Sequence, residues 1–342
     1  MKKQHVFLIL ILIINLISCS DENKSTLGSF QGIYFMGEGN FTRGNAKLDL
    51  YQYEKDSFKE DIFNAVNGYG IGDAAQSVYI SNNNYFVIVV NNSNKLLWVD
   101  KTSLKVIRTL DLRQPRYISI IENNAALVSS NDGFLYIINI ENATLIKTMT
   151  TNLFTDRIVK ISSDKYFVEF QNKIGATNTE QGFLVYKNNN FDTFEKINTN
   201  FVPVGSIIFG NEIVSRYNDP KFTASSEIGK ININSKDYQK IQVLKNPGYG
   251  VNASYNPIKN VFLFYDDNAI YEINSQFVTS KILTTENVIS PYMISHLKNR
   301  NFYVISDALD YTKRSKSYIY DSKGTLLKSL ETPIITNNAF EL

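Results

Sequence analysis

From Ile71 to Thr332 the chain repeats one short unit, and a chain built that way has few means of burying every copy. Two neighbouring copies show the unit best. Val99 to Leu110 reads VDKTSLKVIRTL and Ile138 to Met149 reads INIENATLIKTM, aligned without gaps at a spacing of 39. Each reads as a strand, a polar turn and a second strand. Upstream of each lies an apolar strand, Tyr85 to Val90 and Ala125 to Val128, followed by turns at Asn91-Asn92-Ser93 and Asn131-Asp132-Gly133. Further upstream are the runs Ser77 to Ile80 and Tyr117 to Ile121. Four short strands returning every ~40–45 residues with turn punctuation are the signature of a propeller blade. A sandwich would not repeat the same four-strand order at a constant period.

The spacing also counts the blades. Pro115-Arg116-Tyr117-Ile118 and Pro291-Tyr292-Met293-Ile294 open two units 176 residues apart, which is four units of 44. Asp156-Arg157-Ile158, Val204-Gly205-Ser206 and Tyr249-Gly250-Val251 fit as the starts between them, and Asp73 to Ser77 opens the unit before. Six units therefore run from Ile71 to Thr332, and Gln31 to Phe63 supplies a seventh. The expectation is an all-β, seven-bladed propeller of four-stranded blades. Ring closure is a physical need, since an open blade edge invites aggregation. The tail from Ile334 to Leu342 is expected to add a strand to the first blade and close the ring.

Composition agrees. Tyr and Phe are abundant, at 21 and 22 residues, and Asn-rich turns separate them, which favours strands. No long segment has helical periodicity. The 35 basic and 33 acidic residues become 33 of each once Lys2 and Lys3 are set aside. A neutral domain is not drawn to nucleic acid or to an anionic bilayer by long-range field.

Lys2 and Lys3, the apolar run Val6 to Ile14, and then Leu16-Ile17-Ser18-Cys19 have the order of a secretory signal. The run is too short for a ~20-residue membrane span. Cys19 is the one cysteine of the chain, and it stands where the lipobox of bacterial lipoproteins places its acylated residue. This resemblance implies a signal peptide over 1–18 and a lipid on Cys19; polarity reads 19–30 as a linker, and the repeat makes 31–342 a single propeller domain. Ser20-Asp21-Glu22 is similar to the short acidic signal that sends some lipoproteins to the outer face of the outer membrane. The expected location is the outer membrane, lipid-anchored, with surface display favoured over the periplasmic face.

A family resemblance follows from a succession of motifs. Gly32-Ile33-Tyr34, Glu38-Gly39-Asn40-Phe41, Asn67-Gly68, Ile71-Gly72-Asp73-Ala74-Ala75-Gln76-Ser77, Asn91-Asn92-Ser93-Asn94-Lys95 and Pro115-Arg116-Tyr117-Ile118 occur in that order. The chain resembles the YncE-like (YVTN-type) propeller lipoproteins of Gram-negative outer membranes. The match is specific from Gly32 to about Thr150, and beyond that it persists as the blade period and the Pro291 motif. Members of that family include surface proteins that capture cobalamin and pass it to a TonB-dependent transporter, and others whose ligand is not known. The resemblance thus implies a non-catalytic nutrient-capture protein with cobalamin or another large polar nutrient as ligand, such a transporter as partner, and no cofactor.

Catalytic chemistry has little to work with. The mature chain holds one histidine, His296, so a His-clustered zinc site is excluded and a Ser-His-Asp triad would have to use it. His296 falls within the first strand of the last blade, where a packed histidine is expected. No nucleophile elbow and no phosphate-binding glycine loop is present. Asp266-Asp267-Asn268 and Asp307 to Asp310 do not have the form of a calcium loop and read as turns. A propeller hydrolase or lactonase would rest on Asp73 and Asp156, which open two blades.

A ligand would sit at the channel mouth. Aligning the blade starts makes Gln76, Arg116, Arg157, Gly205 and Tyr292 equivalent, with Tyr117 adjacent and Tyr249 close to the same register. Two arginines, an amide and tyrosines on one ring suit a large polar ligand. They equally suit a plug that fills the channel and satisfies its carbonyls, and both readings are open. Longer loops between middle strands would bring Phe41, Arg43, Asn45, Tyr217, Phe222, Tyr311, Lys313 and Arg314 over the rim. A rim that binds a protein or a glycan, with no small ligand, is the alternative function.

Overall fold

A computed structural model describes residues 30–122, 124–172, 180–219, 226–245, 253–285 and 288–342. Its strands form seven four-stranded antiparallel sheets. Numbered from the N-terminus, blade 2 is Ala75–Ile80, Tyr85–Val90, Lys95–Asp100 and Val106–Asp111, ordered from the channel outward. Blades 3 to 7 repeat that order, with innermost strands Pro115–Glu122, Phe154–Lys160, Val202–Phe209, Ala253–Asn256 and Pro291–Leu297. Each innermost strand contacts the next around the ring. The chain is a seven-bladed β-propeller.

Blade 1 is shared between the two ends of the chain. Ile33–Gly37, Lys47–Gln52 and Ser57–Lys59 supply three strands, and Thr336–Glu341 pairs with Ile33–Gly37 as the innermost strand. The closing role expected of the tail is thus observed. The one α-helix among the described residues, Ile62–Asn67, is six residues long. None of the described helices is long and apolar enough to cross a membrane.

The core lies between blades, not within them. Successive side chains of a strand point to opposite faces, so a strand buried on both sides must be apolar throughout. Tyr85–Val90 (YFVIVV) is fully buried. Its Phe86, Ile88 and Val90 join a cluster with blade 1, and Tyr85, Val87 and Val89 join another with blade 3. Seven such clusters occur, one at each blade-to-blade seam. Trp98 crosses a seam, and its indole N–H donates to the Ile140 carbonyl at 2.6 Å.

Candidate ligand-binding site

All the inner strands begin on one face, and most of them carry the same defect there. Pairing with the second strand slips between Ala75 and Ser77 in blade 2, Pro115 and Ile118 in blade 3, and Thr155 and Ile158 in blade 4. It slips again between Val204 and Ile207 in blade 5 and between Pro291 and Met293 in blade 7. In blade 1 the slip falls opposite Asn337. A β-bulge leaves residues out of the ladder and turns their side chains away from the regular alternation. The residues left out are Gln76, Arg116 and Tyr117, Asp156 and Arg157, Gly205 and Ser206, Tyr292, and Asn337. The five positions aligned from sequence as equivalent are therefore equivalent by geometry, because each sits in the same bulge. Gly205 has φ +72°, and a Cβ there would come within 2.9 Å of the Ala253 side chain. That bulge needs glycine.

The bulged residues meet in one polar network. The Arg116 guanidinium donates to Asp156 through Nε at 3.1 Å and Nη2 at 2.6 Å, and through Nη1 to the Gln76 side-chain oxygen Oε1. Gln76 Nε2 donates to the Tyr117 hydroxyl at 3.3 Å. Arg157 lies over the Tyr117 ring, 4.9 Å from its centroid. Tyr292 donates to Glu38 Oε1 at 3.1 Å, and Asn337 reaches the same oxygen at 3.0 Å. Asn337 also bonds the Ala75 and Gln76 carbonyls, stitching the closing strand to blade 2.

Two carboxylates complete the network, and neither was singled out as a candidate in the sequence. Glu38 follows the second strand of blade 1, and burial raises its pKa. Glu169 lies in the second strand of blade 4, Tyr166–Gln171 (YFVEFQ), at 1% exposure. Its Oε1 accepts from the Ser206 N–H at 2.8 Å and from the Ser206 hydroxyl. Burial, reinforced by the negative charge of Asp156, pushes the Glu169 carboxyl up to about 7. Burial works against the charge of Arg116, but Asp156 and Tyr117 beside it outweigh that and hold its pKa above the ordinary value. Burial likewise raises the Tyr117 and Tyr292 hydroxyls.

At this network opens a cavity of about 200 Å³, lined mostly from blades 3, 4 and 5 and reached by Glu38, Gln76 and Tyr292 of blades 1, 2 and 7. Glu38, Asp156, Glu169 and Arg116 line it with charge, and Gln171 and Asn218 with amides. Phe154, Phe170, Val202, Pro203 and Val204 form its apolar wall.

The structure thus brings together Gln76, Arg116, Tyr117, Arg157 and Tyr292, while Tyr249 and Phe222 lie outside the described residues. At the rim, Phe41 is 67% exposed, and Arg43 is exposed beside it. Tyr311 packs edge-on against Tyr292 with centroids 6.0 Å apart, and its carbonyl accepts from Asn40 at 2.7 Å. Tyr217 does not overhang the rim. It belongs to Glu212–Asn218, is 1% exposed, and packs edge-on against Tyr238 in the seam, because strand alternation turns it inward. Arg314 is likewise drawn from the rim into an ion pair with the buried Asp49 at 2.6 Å.

Asp73 and Asp156 have separate duties. Asp73 accepts from the Thr42 N–H at 2.8 Å and from the Asn92 amide, tying two loops together, while Asp156 holds Arg116. Asp266 and Asp307 accept backbone N–H groups at turns, from Lys245 and from Ile289 and Ser290. Among the described residues no group of His, Cys, Asp and Glu is arranged to hold a metal. His296 is 9% exposed and bonded to Asn301 at 2.8 Å, and burial lowers its pKa.

No protein-family model matches the chain, and no curated protein matches it significantly. Solved structures do. A quinoprotein alcohol dehydrogenase-like protein of Bacteroides thetaiotaomicron superposes with a TM-score of 0.59 at 16% identity, over 91% of this chain and 80% of the other. AztD of Citrobacter koseri gives 0.58 at 10% identity, over 92% and 98%. A candidate 6-phosphogluconolactonase of Bacteroides fragilis gives 0.60 at 11%, over 92% and 98%. At these identities the likeness is one of fold: the chain is a β-propeller, similar to β-propeller proteins of differing roles.

Proposed function

We propose that the chain is a non-catalytic capture propeller of the cell envelope. It is lipidated at Cys19, takes a nutrient at the bulged mouth and passes it to a TonB-dependent transporter. The observation that supports this reading is the repeated bulge, which turns polar side chains of six blades toward one mouth beside a cavity. The YncE-like resemblance points to a cobalamin-like ligand. A cavity of about 200 Å³ is smaller than the roughly 300–1,000 Å³ of ordinary small-molecule sites. A corrin ring would therefore lie across the face and send only a peripheral group inside.

Calorimetry of the mature domain with cyanocobalamin, haem and ferric siderophores tests the reading. Binding of one of them that Arg157→Ala or Tyr292→Phe weakens supports it. Silence across the panel, together with protein or glycan capture, would favour an interaction scaffold. That second reading draws support from Arg116, whose donors already engage Asp156 and Gln76 as a channel plug would.

A further inference from the structure

The cavity at the mouth is not symmetrical in charge. Three carboxylates line it, Glu38, Asp156 and Glu169, against one guanidinium, Arg116. Arg157 stands close by over Tyr117, so the five charges sum to one negative when all are ionised. Their hydrogen bonds are unevenly spent. Glu38 Oε1 is held by Tyr292 and Asn337, and Asp156 Oδ2 by Arg116. On Glu169 both bonds from Ser206 fall on Oε1. Its Oε2 has no hydrogen-bond partner among the described residues, although the side chain is 99% removed from solvent and lines the cavity. A carboxylate oxygen that faces a cavity without a donor is best satisfied by a charged one.

The rest of the lining fits one kind of donor. Gln171 offers a further amide, the Asn218 amide oxygen already accepts from Arg216 and Ser226, and the rest of the lining is aromatic and aliphatic, with Phe154, Phe170 and Pro203. A cation beside aromatic faces gains from their quadrupoles as well as from the carboxylates. An anion would meet a lining that is net negative even with Arg157 counted beside Arg116. A divalent metal is disfavoured, since no acidic cluster among the described residues is arranged to hold one.

We infer that this cavity binds a small organic ammonium ion, a primary amine carrying a short aryl or alkyl chain. Its N–H donors go to Glu169 Oε2 and Asp156, and its chain lies on the Phe154–Phe170 wall. The inference rests on the mouth being a ligand site, and it narrows the ligand of that site.

The test is calorimetry of the mature domain with three molecules of one shape: phenethylammonium chloride, 2-phenylethanol and sodium 3-phenylpropionate. Saturable binding of the ammonium, at least tenfold tighter than either analogue, is the expected result. Glu169→Gln is expected to weaken it tenfold or more, and Asp156→Asn to weaken it independently, each checked for native far-UV circular dichroism. Preferred binding of the phenylpropionate would overturn the ammonium inference while leaving the mouth as a ligand site. Ammonium binding unchanged in both variants would also overturn it. If none of the three binds while a nutrient of the wider panel does, the ammonium inference falls and the capture reading stands. If nothing binds at all, both fall.

Discussion

Ring closure by the C-terminal strand gives a prediction whose size follows from the packing of Phe340. This residue is 7% exposed, stacked on Tyr34 with centroids 5.3 Å apart and tilted against Phe86 at 5.7 Å. It is the point at which the last strand grips blade 1 and blade 2 together. Phe340→Ala removes a buried ring and leaves a cavity, a change that costs about 3–5 kcal/mol. Unfolding entropy of ~2.1 cal/mol/K per residue, over the roughly 310 residues of the domain, amounts to about 0.65 kcal/mol/K. The melting temperature should fall by about 5–8 °C, measured by circular dichroism or scanning calorimetry. Deleting 336–342 should do more, since it exposes the whole ladder edge of Ile33–Gly37 and should drive aggregation. A Phe340→Ala protein melting within about 1 °C of the parent would refute the claim that this strand locks the ring.

Three further outcomes follow. The pKa of Glu169 is raised by folding to about 7, so the folded state holds its proton where the unfolded chain does not. Stability is then greatest below the ordinary carboxyl range and falls, by on the order of 3 kcal/mol, as pH rises through about 7. Glu169→Gln should flatten most of that slope in melting curves between pH 5 and 8, and an unchanged slope would contradict it. The Arg116–Asp156 pair, 2.6 Å apart and less than a third exposed on either side, should show roughly 1–2 kcal/mol of coupling in a double-mutant cycle. Coupling near zero would remove the pair as an organiser of the mouth. Gly182 has φ +143°, and a Cβ there would stand 1.9 Å from the Ile197 carbonyl. Gly182→Ala should cost about 3 kcal/mol or more in urea denaturation, while Gly210→Asn, at φ +57° with open space around it, should cost under about 1 kcal/mol.

The fold was legible because its evidence is periodic. Asn-rich turns and continuously apolar second strands recur at a spacing that one sequence displays by itself, and even the closing strand followed from the need to leave no edge. Half of the mouth was legible for the same reason, since aligned blade starts find Gln76, Arg116, Arg157, Gly205 and Tyr292 in the same bulge, though not Asn337 of the closing strand. The other half comes from strands that the alignment does not mark as special. Glu169 reaches the cavity from the second strand of blade 4, where its signal was an acid inside an otherwise apolar run, YFVEFQ. Read with the period of two, that acid shares a face with Phe167, which packs toward blade 5. Tyr217 shows the converse error. Its nearness to a long loop suggested the rim, but the strand runs one residue beyond it and burial follows strand alternation.

The point at which the chain enters the ring has a consequence for how the molecule stands. Ile33 pairs with Glu341, and Gly37 with Thr336, so the first strand begins at the far ends of the inner strands, away from the bulges. With Cys19 as the acylated residue, twelve residues over 19–30 reach at most about 40 Å. On the proposed capture reading, an anchor at Cys19 would join the ring from the blunt face of the disc, opposite the bulged mouth. Loading from the medium would then need no movement, whereas unloading into a membrane channel would require the disc to turn over. On that reading uptake into the protein and release from it are separable, and shortening 20–29 should abolish release while leaving uptake intact.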